Sequence, residues 1–179
     1  TYTQLGGYTL KCNGENIAIS GVKKYAKDEN YVYFLFFVYD GTEDSVGVYR
    51  GQVPMTANSG TVNITHSFDI DIARSAVSKL ENFTRQGIGY IASTDQLLVP
   101  LTNDNVSIIL VYDNASTAAG TVMANPDLSF RITSSSYPYL FEIEGCDETN
   151  GKLYFNCNRK TNSSDISNDA ICYFKNFTI

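Results

Sequence analysis

The sequence predicts an all-β fold, an antiparallel β-sandwich of the immunoglobulin-like or jelly-roll-like kind, on three observations. Short runs recur that alternate apolar with polar residues or are dense in Val, Ile, Tyr, Phe and Thr. Turn residues separate them. The chain of 179 residues, 43% of them apolar, is long enough to bury a core without metals or staples.

Taken in order, strands are expected at 7–12 (GYTLKC), 16–21, 30–40, 45–53, 60–70, 88–92, 96–101, 105–112, 128–133, 139–144, 152–157 and 170–178. The first alternates, with Tyr8 and Leu10 on one parity ahead of Cys12. The run NYVYFLFFVYD at 30–40 is apolar on both parities, as a strand covered on both faces must be. From 60 to 72, Val62, Ile64, His66, Phe68, Ile70 and Ile72 share one parity while Asn63, Thr65, Ser67, Asp69 and Asp71 share the other. Asn63 is therefore expected to face solvent. One segment breaks the β pattern: Ile72, Ala76, Leu80 and Phe83 recur at helical spacing between a capping Asp71 and Gly87, which predicts a short helix near 71–85. No repeat or linker stands out, so 12–179 reads as a single sandwich domain preceded by an N-terminal strand or tail, 1–11.

Cys12, Cys146, Cys157 and Cys172 make an even count without metal-ligand spacing, which favours disulfides over a metal site. The hairpin around residue 150 leaves two registers open. A type II′ turn at Gly151-Lys152 sets Cys146 opposite Cys157, with Cys12–Cys172 as the companion bridge; a type I′ turn at Asn150-Gly151 sets Cys146 opposite Phe155 instead. The first is the favoured arrangement.

Charged residues are only 18% of the chain, and the net charge of −6 comes without any Lys/Arg run beyond Lys23-Lys24. That excludes the footprint of a nucleic-acid or anionic-membrane binder. The longest apolar stretch, Tyr31 to Tyr39, is about half of what a membrane helix needs. Six Asn-X-Ser/Thr triplets, at Asn63, Asn82, Asn105, Asn114, Asn162 and Asn176, lack proline in the middle, where composition alone predicts roughly three. Sequons and paired cysteines together point outside the cell. A start at Thr1, without Met or a charged apolar leader, fits a secreted chain after signal-peptide removal, although a trimmed chain starts the same way.

Chemistry is sparse. His66, the lone histidine, falls on the apolar parity of its strand and reads as a core or boundary residue rather than a general base. The carboxylate pairs Asp69/Asp71, Glu142/Glu144 and Glu43/Asp44 read as strand and turn residues, and the oxygen-rich turns at 40–44 and 103–105 lack the spacing of a calcium loop. No catalytic residue, metal or cofactor is expected. Thirteen Tyr and ten Phe offer a better argument, since tyrosine stacks on a sugar face while its hydroxyl hydrogen-bonds, and Tyr137-Pro138-Tyr139 follows a Ser-rich loop.

The tract TYTQLGGYTLK suggests a strand that completes the sheet of a neighbouring copy, burying Leu5, Tyr8 and Leu10 against it. With its Thr1 start, dense sequons, Tyr/Ser/Thr/Asn in place of charge, four cysteines and β-rich segments, the chain resembles the glycosylated subunits of the extracellular thread filaments of Sulfolobales archaea. That resemblance implies head-to-tail polymerisation by N-terminal strand insertion and a coat of glycans. The leading expectation is thus a non-enzymatic extracellular structural subunit; the alternative is a viral or cell-surface attachment domain that binds a glycan or protein receptor.

Overall fold

A computed structural model of the chain describes residues 3–4, 6–39, 45–166 and 168–175. Leu5, the turn at 40–44 and the sequon Asn176 lie outside the described residues. Among those described, the chain is all-β, with 58% strand, no helix and no closed barrel. The strands are β1 (Gly7–Cys12), β2 (Glu15–Asn16), β3 (Gly21–Lys27), β4 (Tyr31–Val38), β5 (Ser45–Pro54), β6 (Ser59–Asn63), β7 (Thr65–Asp71) and β8 (Thr84–Arg85). They continue as β9 (Gly89–Ile91), β10 (Gln96–Asn103), β11 (Val106–Tyr112), β12 (Val122–Met123), β13 (Leu128–Thr133), β14 (Leu140–Thr149), β15 (Lys152–Lys160) and β16 (Ala170–Tyr173).

Where the sequence offers no boundary, these strands gather into two compact units. The first spans residues up to Asp71 and takes back Ser116–Val122; the second holds 72–115 and the residues from Met123 onward. Because the chain returns to the first unit, no single linker separates them.

The first unit pairs a three-stranded layer, β2-β1-β6, with a five-stranded one, β12-β7-β5-β4-β3. Strand β4 is covered on both faces, as its doubly apolar run requires. Leu35 and Phe37 are fully buried on one face beside Val46, Val48, Phe68 and Ile70. Phe36, on the other face, forms a separate cluster with Val62 and Ile64, against which Tyr8, Leu10, Cys12, Ile17 and Ile19 pack. Each such buried side chain contributes about 1.5–3 kcal/mol of transfer free energy. Gly51 keeps the layers close: a Cβ there would sit 2.8 Å from Ile64 and 3.0 Å from the Phe36 ring. A tight turn at Asn13-Gly14, with φ of 51° and 87°, returns β1 to β2.

The predicted strand 60–70 is divided. Residues 59–63 run parallel to β1, from Gly7 opposite Ser59 to Lys11 opposite Asn63, and the chain changes layers at Ile64. A bulge follows at Val48/Tyr49, where β7 pairs with β5. The parity therefore serves two cores in turn, and His66 belongs to neither. Its side chain is 44% exposed, with its ring edge on Tyr49 and Nε2 2.9 Å from Asp69 Oδ1.

In the second unit, the layer β13-β11-β10-β8, with β9 also on β10, faces β14-β15-β16. Ile91, Leu98, Ile109, Val111, Phe141, Ile143, Leu153 and Phe155 fill the space between them. Buried Ser107 joins the layers, its hydroxyl donating to Phe141 O at 3.0 Å and accepting from Ile143 N at 2.9 Å.

The helix predicted near 71–85 does not form. Lys79 and Asn82 take φ of 62° and 69°, which a right-handed helix excludes. Ala76 N donates to Asn125 Oδ1 and Val77 N to Ser75 Oγ, while Arg131 donates to the carbonyls of Ser78 and Lys79. Tertiary partners thus take up backbone groups that a helix would have paired internally.

Candidate ligand-binding groove

The apolar face of the five-stranded layer in the first unit gives way, at the end nearest the β3–β4 turn, to a tyrosine-rich surface. Tyr33 continues the parity of buried Leu35 and Phe37, and Tyr31 lies two residues before it. Tyr25 arrives by a bulge: Lys24 faces Phe34 and Ala26 faces Tyr33, leaving Tyr25 as the extra residue. Its ring stands 6.2 Å from that of Tyr33, which is 6.5 Å from that of Tyr31, all tilted. With Arg50, Gly51, Gln52, Asn63 and Thr65, Tyr25 and Tyr33 line an open groove of about 380 Å3. That size falls within the ~300–1,000 Å3 of small-ligand sites.

Asp28 sets the ring positions. Its carboxylate accepts from the backbone N–H of Asn30 and of Tyr31, both at 2.7 Å, and from the Tyr33 hydroxyl at 2.6 Å. The Tyr33 bond, then those from Tyr31 and Asn30, hold the Asp28 carboxyl below its usual range; the same bond, with desolvation, pushes the Tyr33 phenol up. Tyr33 is therefore tethered by its hydroxyl and lends its ring to the groove. Arg50 donates from Nη2 to Ala118 O at 2.6 Å, which fixes the guanidinium beside the groove. Rings for stacking thus stand next to guanidinium, carboxamide and hydroxyl groups. The sequence reading missed this site; the available signal was three tyrosines flanking one Asp-Glu-Asn turn.

Other residues singled out from the sequence are dispersed. Asn63, Asn82, Asn114 and Asn162 are exposed and Asn105 is half-buried. Asn63 faces outward, as the parity required. Asn162 sits in a knotted turn: its Nδ2 donates to Asp165 Oδ1 at 2.9 Å and its Oδ1 accepts from Ser164 N and Oγ. Tyr137 packs into the second unit's core under Arg159, with Tyr139 exposed beyond it. Glu144 accepts from the carboxamides of Asn156 and Asn158, and among the described residues no cluster of three metal-ligating side chains occurs. No described helix is long and apolar enough to cross a membrane.

The N-terminal strand lies in its own unit. Tyr8 and Leu10 are half-buried against the Phe36 cluster, and the Tyr8 hydroxyl donates to Ala57 O at 2.5 Å.

Neither expected disulfide is present. Asn150 and Gly151 both have positive φ, 53° and 72°, so the turn is type I′, Thr149 faces Lys152 and Cys146 faces Phe155. This overturns the Cys146–Cys157 pairing, for which the register is wrong by two residues. Its companion Cys12–Cys172 is also absent: Cys12 packs in the Phe36 cluster of the first unit and Cys172 against the core of the second.

No family model matches the chain, and no curated protein matches it. Among solved structures it is similar to the β-propeller domain of Nup133 from Vanderwaltozyma polyspora, with a TM-score of 0.25 and 12% identity, over 74% of this chain and 34% of that one. The chain thus spans about a third of that domain's length. A likeness at that level carries no argument about what this chain does.

Proposed function

We propose that the chain is a non-enzymatic extracellular recognition module that binds carbohydrate along the Tyr25/Tyr33 groove. The observation that supports this reading is the groove itself, with two rings 6.2 Å apart beside the side chains of Arg50, Gln52 and Thr65. An aromatic–sugar stack supplies affinity and the polar rim supplies orientation. Screening the protein on a glycan array, followed by calorimetry with the best ligand, tests it. Tyr33→Ala should weaken binding at least tenfold, whereas Tyr139→Ala, in the other unit, should not. Equal binding by wild type and Tyr33→Ala would remove the groove from consideration.

Asn63 lies on the rim, so an N-glycan there would begin inside the groove. The assay therefore compares glycosylated and unglycosylated protein. An intact mass equal to the bare 19.8 kDa chain, on material from its native source, would strike glycosylation from the proposal.

A second reading, a filament subunit that exchanges its first strand, draws support from the β1–β6 ladder. Two strands paired in parallel and separated by a long excursion can be supplied by two copies with the same contacts. Deleting residues 1–10 then abolishes assembly and leaves glycan binding intact. Native assemblies built by the truncated chain would dismiss the exchange.

A further inference from the structure

The cysteines are placed in a way that the sequence did not suggest. Cys146 on β14, Phe155 on β15 and Cys172 on β16 stand in one row across the three-stranded layer, and Cys157 lies two residues beyond Phe155 on the same face. The Phe155 ring, packed against Phe141 and Phe174, occupies the position between Cys146 and Cys172. Cys157 and Cys172 are diagonal neighbours on adjacent strands, close enough that Cys172, after burial, helps to push the Cys157 thiol up. Cys157 is buried and Cys172 half-buried. Strand β16, only four residues long, pairs among the described residues with β15 alone and forms the edge of its layer. A diagonal pair is normally somewhat too far apart for a relaxed disulfide. The short β16 can shift towards β15 to close the gap, whereas β14, where Cys146 is equally diagonal to Cys157, is ten residues long and held by its pairing with β15.

We propose that Cys157 and Cys172 are the disulfide site of this chain, closed by a low-molecular-weight disulfide such as oxidised glutathione, while Cys12 and Cys146 remain thiols. The half-buried Cys172 thiolate attacks one sulfur of the oxidant and expels the first glutathione thiolate. Cys157, deprotonated, then attacks the Cys172 sulfur of the mixed disulfide and expels the second. One S–S bond in the oxidant is exchanged for one in the protein, two electrons pass to the glutathione pair, and the two thiol protons end on the two glutathiones. Closure joins the edge strand to its neighbour across residues 158–171, the segment that carries Asn162.

Trypsin makes the test simple, because Lys152, Arg159 and Lys160 put Cys146, Cys157 and Cys172 on different peptides, and Cys12 on a fourth. The full chain, reduced and then equilibrated with excess oxidised glutathione, is alkylated, digested and analysed by mass spectrometry. The expected result is one linked pair, the Cys157 and Cys172 peptides, with the protein lighter by two hydrogens and Cys12 and Cys146 alkylated. The double variant Cys12→Ser/Cys146→Ser should keep the link; Cys157→Ser and Cys172→Ser should each lose it. A link involving Cys146 or Cys12, four alkylated thiols, or persistent glutathione adducts that never resolve would each overturn the assignment.

Discussion

Replacing Ser107 with Ala removes one oxygen and should destabilise the second unit well beyond an ordinary surface substitution. Strand β14 borders its layer, so on the side away from β15 its N–H and C=O groups need partners. They find them in the facing layer: Phe141 N donates to Asp104 O at 3.1 Å, and Ser107 Oγ serves both Phe141 O and Ile143 N. Ser107 is 0% exposed, so water cannot replace the lost hydroxyl without opening the core. Each buried group left without a partner costs about 1–3 kcal/mol, so the pair should cost about 2–6 kcal/mol. The assay is urea unfolding followed by circular dichroism, with exposed Ser135→Ala as a control expected within about 0.5 kcal/mol of wild type. If Ser107→Ala also falls within about 0.5 kcal/mol, Ser107 does not hold the layers together and the account of this edge is wrong.

Gly6→Ala would set a Cβ 1.7 Å from Asn58 O, a backbone atom that cannot yield; amide exchange at residues 7–12 should accelerate well ahead of the rest of the first unit. Asp28 has its carboxyl held below the ordinary aspartate value of 3.8, chiefly by Tyr33, so its stabilising contribution is present above that value and is lost as pH falls through the lower folded one. Asp28→Asn should flatten this part of the acid limb in pH-dependent unfolding; an unchanged limb would count against the tether. Burial, then Cys172, pushes the Cys157 thiol from 9.0 to about 12, so the reduced protein should lose stability as pH rises from about 9 towards 12, and Cys157→Ala should remove that slope.

Periodicity located most strands because half-buried sheets leave a direct trace in alternation. The doubly apolar run of β4 and the outward Asn63 were legible for that reason. Three features left no such trace. The layer change at Ile64 keeps the parity of the strand while exchanging the core it serves, so the same alternation describes one face or two. The apolar spacing of Ile72, Ala76, Leu80 and Phe83 suits a helix, but Asn125 and Arg131, distant in sequence, claim the backbone. At residue 150, both turn types suit the local residues, and only positive φ at Asn150 and Gly151 decides the register that separates Cys146 from Cys157. The groove was illegible for a similar reason, since it depends on a bulge that swings Tyr25 beside Tyr33.

The return of residues 116–122 to the first unit has a consequence for synthesis. Ser67 Oγ donates to Ala118 O, Gly120 N to Ser67 O and Asp69 N to Thr121 O, so the outer edge of β7 acquires these partners only when that segment exists. At ribosomal rates of about 5–20 residues per second, the chain from Asp71 to Val122 takes roughly 3–10 s to emerge. Throughout that interval β7 presents an open edge, while β8 to β11 of the other unit are already being made. Neither sandwich can be completed before the other has begun, so an unpaired strand edge stands exposed over one definable stretch of translation.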